Sequence, residues 1–62
     1  MRVIAKFTHL SRLAKVYRDS TWGEYRIKFW QEDEYMKEAD YHTTDKDEAL
    51  QFAQRWAEGV AP

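Results

Sequence analysis

The 62-residue sequence contains no cysteine, one proline and two glycines. Without cysteine there is neither a disulfide framework nor a thiolate metal site. Gly23 and Gly59 stand far apart, which excludes a glycine-rich phosphate loop. No apolar run approaches the ~20 residues needed to span a bilayer. The opening Met1-Arg2-Val3-Ile4-Ala5-Lys6 lacks the apolar stretch of a signal peptide. Together with the missing cysteines, this makes a soluble, cytoplasmic chain the expectation. The scarcity of Pro, Gly and Ser argues against disorder.

What is present suits a small core. Aromatic residues make up 16% of the chain and charged residues 34%. Aromatic side chains bury ~150–250 Å² each and dominate small cores. One domain over residues 1–62 is the expectation, with stability drawn from that core, from dimerisation, or from both. Net charge is −1, yet its distribution is uneven. Residues 1–28 hold seven basic and two acidic groups, a net of +5; residues 29–62 hold three basic and nine acidic groups, a net of −6. Such asymmetry marks either a binding surface or internal neutralisation between neighbouring segments.

The clearest element is a C-terminal helix over residues 45–58. Thr44 can cap it with Asp47 at the third helical position; Asp45 with Glu48 is the alternative. Acids crowd the first turn, at the positive end of the helix dipole. Gly59 supplies the stop, and Pro62 closes the chain. At 100° per residue, Ala49, Phe52, Ala53, Trp56, Ala57 and Val60 form one apolar stripe, with Leu50 at its edge. This stripe reads as core, with Ile27, Phe29, Phe52, Ala53 and Trp56 buried together.

Strands precede the helix. Glu24-Tyr25-Arg26-Ile27-Lys28-Phe29 alternates without a break, predicting a half-buried strand over residues 24–31. A second strand is predicted over residues 13–18, joined to it by the turn-rich Asp19-Ser20-Thr21-Trp22-Gly23. A third is predicted over residues 38–43. Residues 2–8 alternate too, as a separate strand or the start of one long bent strand, with Val3, Ala5 and Phe7 on one side. The expected fold is α+β: a three- or four-stranded antiparallel sheet, within residues 2–43, packed on one helix.

One helix covers one sheet face. If Tyr25, Ile27 and Phe29 face it, then Arg26, Lys28 and Trp30 face away. On the neighbouring strand, inward Ala14 and Val16 turn Lys15 and Tyr17 outward. On the first segment Arg2, Ile4 and Lys6 would point out. The candidate macromolecule-binding residues are therefore Lys15, Tyr17, Arg26, Lys28 and Trp30. Basic groups attract phosphates or carboxylates, and flat rings stack on bases or anchor protein interfaces. The alternative is a solvated face with cross-strand pairs such as Arg26 or Lys28 against Asp40. A large ring on such a face wants a cover, so Trp30 is expected under a second chain or in a partner patch, with Tyr17 beside it.

Catalytic signals are poor. Asp40, His42 and Asp45 could converge near the helix start, but no partner motif accompanies them and His9 is distant. Ser11 and Ser20 have no nucleophile context. The reading is not an enzyme, with no cofactor, no metal and no small-molecule substrate.

The stretch Trp22-Gly23-Glu24-Tyr25-Arg26-Ile27-Lys28-Phe29, followed by Thr43-Thr44-Asp45-Lys46-Asp47-Glu48-Ala49-Leu50-Gln51-Phe52-Ala53, resembles a known pattern. It is similar to the three-stranded-sheet-plus-helix domains at the N-termini of tyrosine-type phage integrases, and to plant AP2-like domains. The resemblance covers residues 22–53 and implies an open sheet face that enters a DNA major groove. In that family the central turn is short and basic, whereas here Gln31-Glu32-Asp33-Glu34-Tyr35-Met36-Lys37-Glu38 is long and acidic. The chain also looks like the small accessory proteins of bacteriophages. The leading expectation is a non-catalytic protein-interaction module, a phage-type regulatory or host-modulating protein, with another protein or a second copy as partner. The alternative is a nucleic-acid-binding module of the AP2-like or integrase arm-binding type.

Overall fold

The computed structural model describes residues 1–59. It is a small α+β fold in which an antiparallel sheet packs against one helix. The elements are β1 (Arg2–His9), β2 (Arg12–Asp19), β3 (Glu24–Gln31), β4 (Glu34–Tyr35), β5 (Tyr41–Thr43) and α1 (Lys46–Glu58). The sheet order is β1-β2-β3-β4, with β5 pairing β3 on the same edge as β4.

Residues 2–8 therefore belong to a separate strand. His9 pairs with Arg12 across a two-residue turn, Leu10-Ser11. Leu10 takes a φ of 55°, a left-handed conformation that costs a non-glycine residue ~1–2 kcal/mol. The β2–β3 link is eased by Gly23 at φ 64° and by Asp19, whose carboxylate accepts from the Thr21 N–H at 3.0 Å. A second tight turn joins β3 to β4: Gln31 pairs with Glu34, leaving Glu32 and Asp33 at φ 54° and 65°. The Glu32 N–H donates to the Ser11 carbonyl at 2.8 Å, which ties the two strained turns together.

Two strand expectations need correction. The strand expected over residues 38–43 is only Tyr41–Thr43. Lys37–Ala39 instead forms a turn of 3-10 helix, because the tight β3–β4 hairpin uses up the edge of β3 near Trp30. The chain must then step along that edge before Tyr41 can pair with Ile27. On β1, a bulge between Val3 and Ala5 shifts the register. One extra residue reverses every side chain before it. Val3 pairs with Tyr17 on the open face and Arg2 with Arg18 on the helix side, while Ile4 packs against the core. The sequence pattern placed Arg2 and Ile4 outward and Val3 inward.

The helix is capped by Asp45, whose Oδ1 accepts from the N–H groups of Asp47 at 2.9 Å and Glu48 at 3.2 Å. Asp45, not Thr44, is thus the cap. The reciprocal arm of a capping box is absent: the Asp45 N–H donates to Thr43 Oγ1, and the Glu48 carboxylate accepts from the Tyr41 hydroxyl. Gly59, at φ 78°, closes the helix. Its Cβ-less backbone lies under Arg12, whose Nη1 donates to the Trp56 carbonyl at 3.0 Å and whose guanidinium lies 5.4 Å from the Trp56 ring. The expected roles of Val60 and Pro62 lie outside the described residues.

Ala14, Val16, Ile27 and Phe29 of the sheet are buried against Ala49 and Ala53 of the helix. The buried helical stripe is Ala49, Ala53 and Ala57. Phe52 and Trp56, expected to be buried with Ile27 and Phe29, are half-buried flanks. Their rings lie 5.9 and 4.6 Å from that of Phe29. Small residues on the contact ridge draw the backbone down onto the sheet, which pushes the large rings to the margins.

Candidate functional site

The helix covers one face of the sheet and leaves the other open. In register, the open face carries four rows of directly opposed residues. They are Val3–Tyr17–Arg26–His42, then Lys6–Lys15–Lys28, then Thr8–Leu13–Trp30–Tyr35, with Asp19–Glu24 at the β2–β3 end. The five residues singled out from sequence thus share one face. Lys15 stands opposite Lys28, and Tyr17 opposite Arg26.

The rows differ electrostatically. Arg26 is held near two carboxylates, with Nε 3.5 Å from Asp19 and Nη2 3.6 Å from Glu24. His42 Nδ1 lies 4.0 Å from the same Glu24. That end is internally neutralised. The anticipated pairing of Arg26 or Lys28 with Asp40 does not occur, since Asp40 accepts from the Tyr35 hydroxyl at 2.6 Å.

The lysine row has no such partner. Among the described residues, the ion pairs within 4.0 Å involve only Arg26 and His42 on the basic side. Adjacent strands lie ~4.8 Å apart, so three ammonium-bearing side chains start within ~10 Å. Like charges directly opposite one another on a sheet are destabilising. Rings hold two of them in place. The Lys15 ammonium lies 4.9 Å from the Trp30 ring centre, and that of Lys28 lies 5.5 Å from Tyr17 and 5.9 Å from Tyr35. Trp30 and Tyr35 lie 5.2 Å apart. Trp30 is accordingly half-buried by its own chain. Its neighbours include Leu13, Lys15 and Tyr35, and Tyr17 lies on the far side of the lysine row.

The sequence reading did not select Lys6 or Tyr35. Lys6 was legible from alternation alone, once β1 is a separate strand. Tyr35 was not, because the Glu32-Asp33 turn lacks the glycine or asparagine that marks a tight hairpin. The hydrogen bond to Asp40, with a smaller contribution from partial loss of solvent, raises the Tyr35 pKa above the usual phenol value. The Glu48 carboxylate does the same, with burial second, for Tyr41 on the helix side.

Asp40, His42 and Asp45 do not converge. Asp40 holds Tyr35, His42 sits opposite Arg26, and Asp45 caps the helix. Among the described residues no group of three His, Cys, Asp or Glu is placed to hold a metal ion. No family model, no curated protein and no solved structure matches the chain.

Proposed function

We propose that the protein is a non-catalytic binding module whose open sheet face holds a single-stranded nucleic acid. The observation that carries this reading is the in-register row Lys6–Lys15–Lys28, which takes part in no ion pair within 4.0 Å among the described residues and is flanked by Tyr17, Trp30 and Tyr35. Lysine is depleted at the centre of protein–protein interfaces, where aromatic residues and arginine are enriched. A face centred on lysine therefore suits a polyanion better than a protein. The exposed ring of Tyr35 and the half-buried rings of Tyr17 and Trp30 add the choice of strandedness. They can stack on unpaired bases, whereas bases within a duplex have no free face. A docked phosphate chain would also relieve the mutual repulsion of the row.

The test is fluorescence anisotropy of a labelled mixed-sequence oligonucleotide across a salt series. Each phosphate contact lowers the slope of log affinity against log salt by ~0.7 on a single strand. Wild type should show a slope near −2 for three lysine contacts. Lys28→Gln should reduce it by about one contact, while Trp30→Ala should weaken binding by ~1–3 kcal/mol with the slope unchanged. No complex at ~50 mM salt would sink the proposal.

One observation favours the protein-interaction reading. Leu10 is 93% exposed and held at φ 55°, beside Leu13 and Trp30 at the rim of the same face. Strained, exposed residues collect at recognition sites. If oligonucleotides fail to bind, this rim is where a protein partner would dock.

A further inference from the structure

The two edges of the sheet are built differently. One is broken: it consists of the two-residue β4 and the three-residue β5, separated by the 3-10 turn and Asp40. The other is β1, eight residues long, which pairs only with β2 among the described residues. A long edge strand presents a row of unpaired N–H and C=O groups, which is a template for another strand. The bulge at Ile4 bends the first part of β1 away, but residues 5–9 continue in regular register with β2. Neither proline nor glycine interrupts them.

We infer that β1 pairs antiparallel with β1 of a second copy, about a two-fold axis through Phe7. The sequence of the strand is self-complementary in that register. Directly opposed residues in an antiparallel pair lie on the same face. Phe7 would meet its own copy, Ala5 would meet His9, and Lys6 would meet Thr8. Alternation then matches on both faces. Phe7, half-buried at the margin of the core, would be covered on the helix side by the partner's Phe7. Pairing about Lys6 would instead oppose two like charges at the axis, which is unfavourable. A domain of this size gains most from such association, because its own core is small. The pairing would also join two open faces into one, each lysine row running on into the partner's Thr8–Leu13–Trp30–Tyr35 row. It goes beyond the nucleic-acid reading and does not depend on it.

The experiment is sedimentation equilibrium of the whole chain, without nucleic acid, from ~10 μM to ~1 mM, a range that spans weak dimers. Thr8 is exposed on the open face, so its substitution leaves the core alone. Thr8→Glu would face Lys6 of the partner twice per dimer, and Thr8→Lys would oppose it twice. Two exposed pairs should tighten the dimer about two- to thirty-fold for Thr8→Glu and loosen it similarly for Thr8→Lys, most strongly at low salt. Circular dichroism on both variants controls for folding. A wild-type chain that stays monomeric to ~1 mM overturns the inference. So does a dimer whose affinity is the same in both variants, because its contact then lies away from this strand pair.

Discussion

Tyr41 shows how far single contacts extend in so small a domain. Its ring stacks on Phe52 at 4.5 Å and 7°, and its hydroxyl donates to Glu48 in the first turn of the helix. One side chain thereby ties β5 to α1. The hydrogen bond to Glu48, followed by burial, raises the phenol pKa above its ordinary value of 10.0. A group whose folded pKa exceeds its unfolded pKa contributes stability that is complete below the unfolded value. That contribution is lost as pH climbs through the folded one. Thermal melts should therefore hold steady up to about pH 10 and fall beyond it. Tyr41→Phe, which cannot ionise, should remove part of that alkaline fall. A melt profile of Tyr41→Phe parallel to wild type above pH 10 would show that the contact contributes nothing. Neither the contact nor that of Tyr35 with Asp40 was legible from sequence. Both depend on where the short β4 and β5 land along the edge of β3.

At the level of elements, legibility followed the strength of local pattern. Unbroken alternation from Glu24 to Phe29 placed β3 and both its faces correctly, and Ala14 and Val16 did the same for β2. The helix was legible from its cap, its stripe and Gly59. The bulge at Ile4 was not, because an inserted residue leaves alternating composition intact while reversing the faces beyond it. Nor was the relative burial of the stripe, since periodicity says which residues face the sheet but not how closely the helix approaches. That approach depends on Ala53, fully buried at the centre of the contact. Ala53→Leu adds three carbons where no space exists. It should cost ~1–3 kcal/mol, the usual penalty for overpacking. For a domain this size that loss lowers the melting temperature by ~4–8 °C per kcal/mol. An unchanged melt would mean that the helix rides higher on the sheet than described.

The whole molecule is polarised. Acidic groups gather along residues 32–40, whereas the middle row of the open face carries only lysine. A net charge of −1 therefore conceals a row of three lysines on one face. On the proposed reading, charge arranged this way would steer a polyanion to that face at low salt. The fold and four of the central residues of this face were legible in advance. Arg26 shared the face but is engaged by Asp19 and Glu24, a pairing set by the β2–β3 turn and so not visible in strand alternation. The most direct test is an amide chemical-shift titration of the labelled protein with a short single-stranded oligonucleotide at ~50 mM salt, where phosphate contacts are strongest. The predicted result is that the largest shifts fall on Lys6, Lys15, Tyr17, Lys28, Trp30 and Tyr35, with the indole N–H of Trp30 among them. The helix residues Gln51, Gln54 and Arg55 should stay still. Shifts confined to the helix, or none at all, would contradict the assignment of the open sheet face as the binding surface.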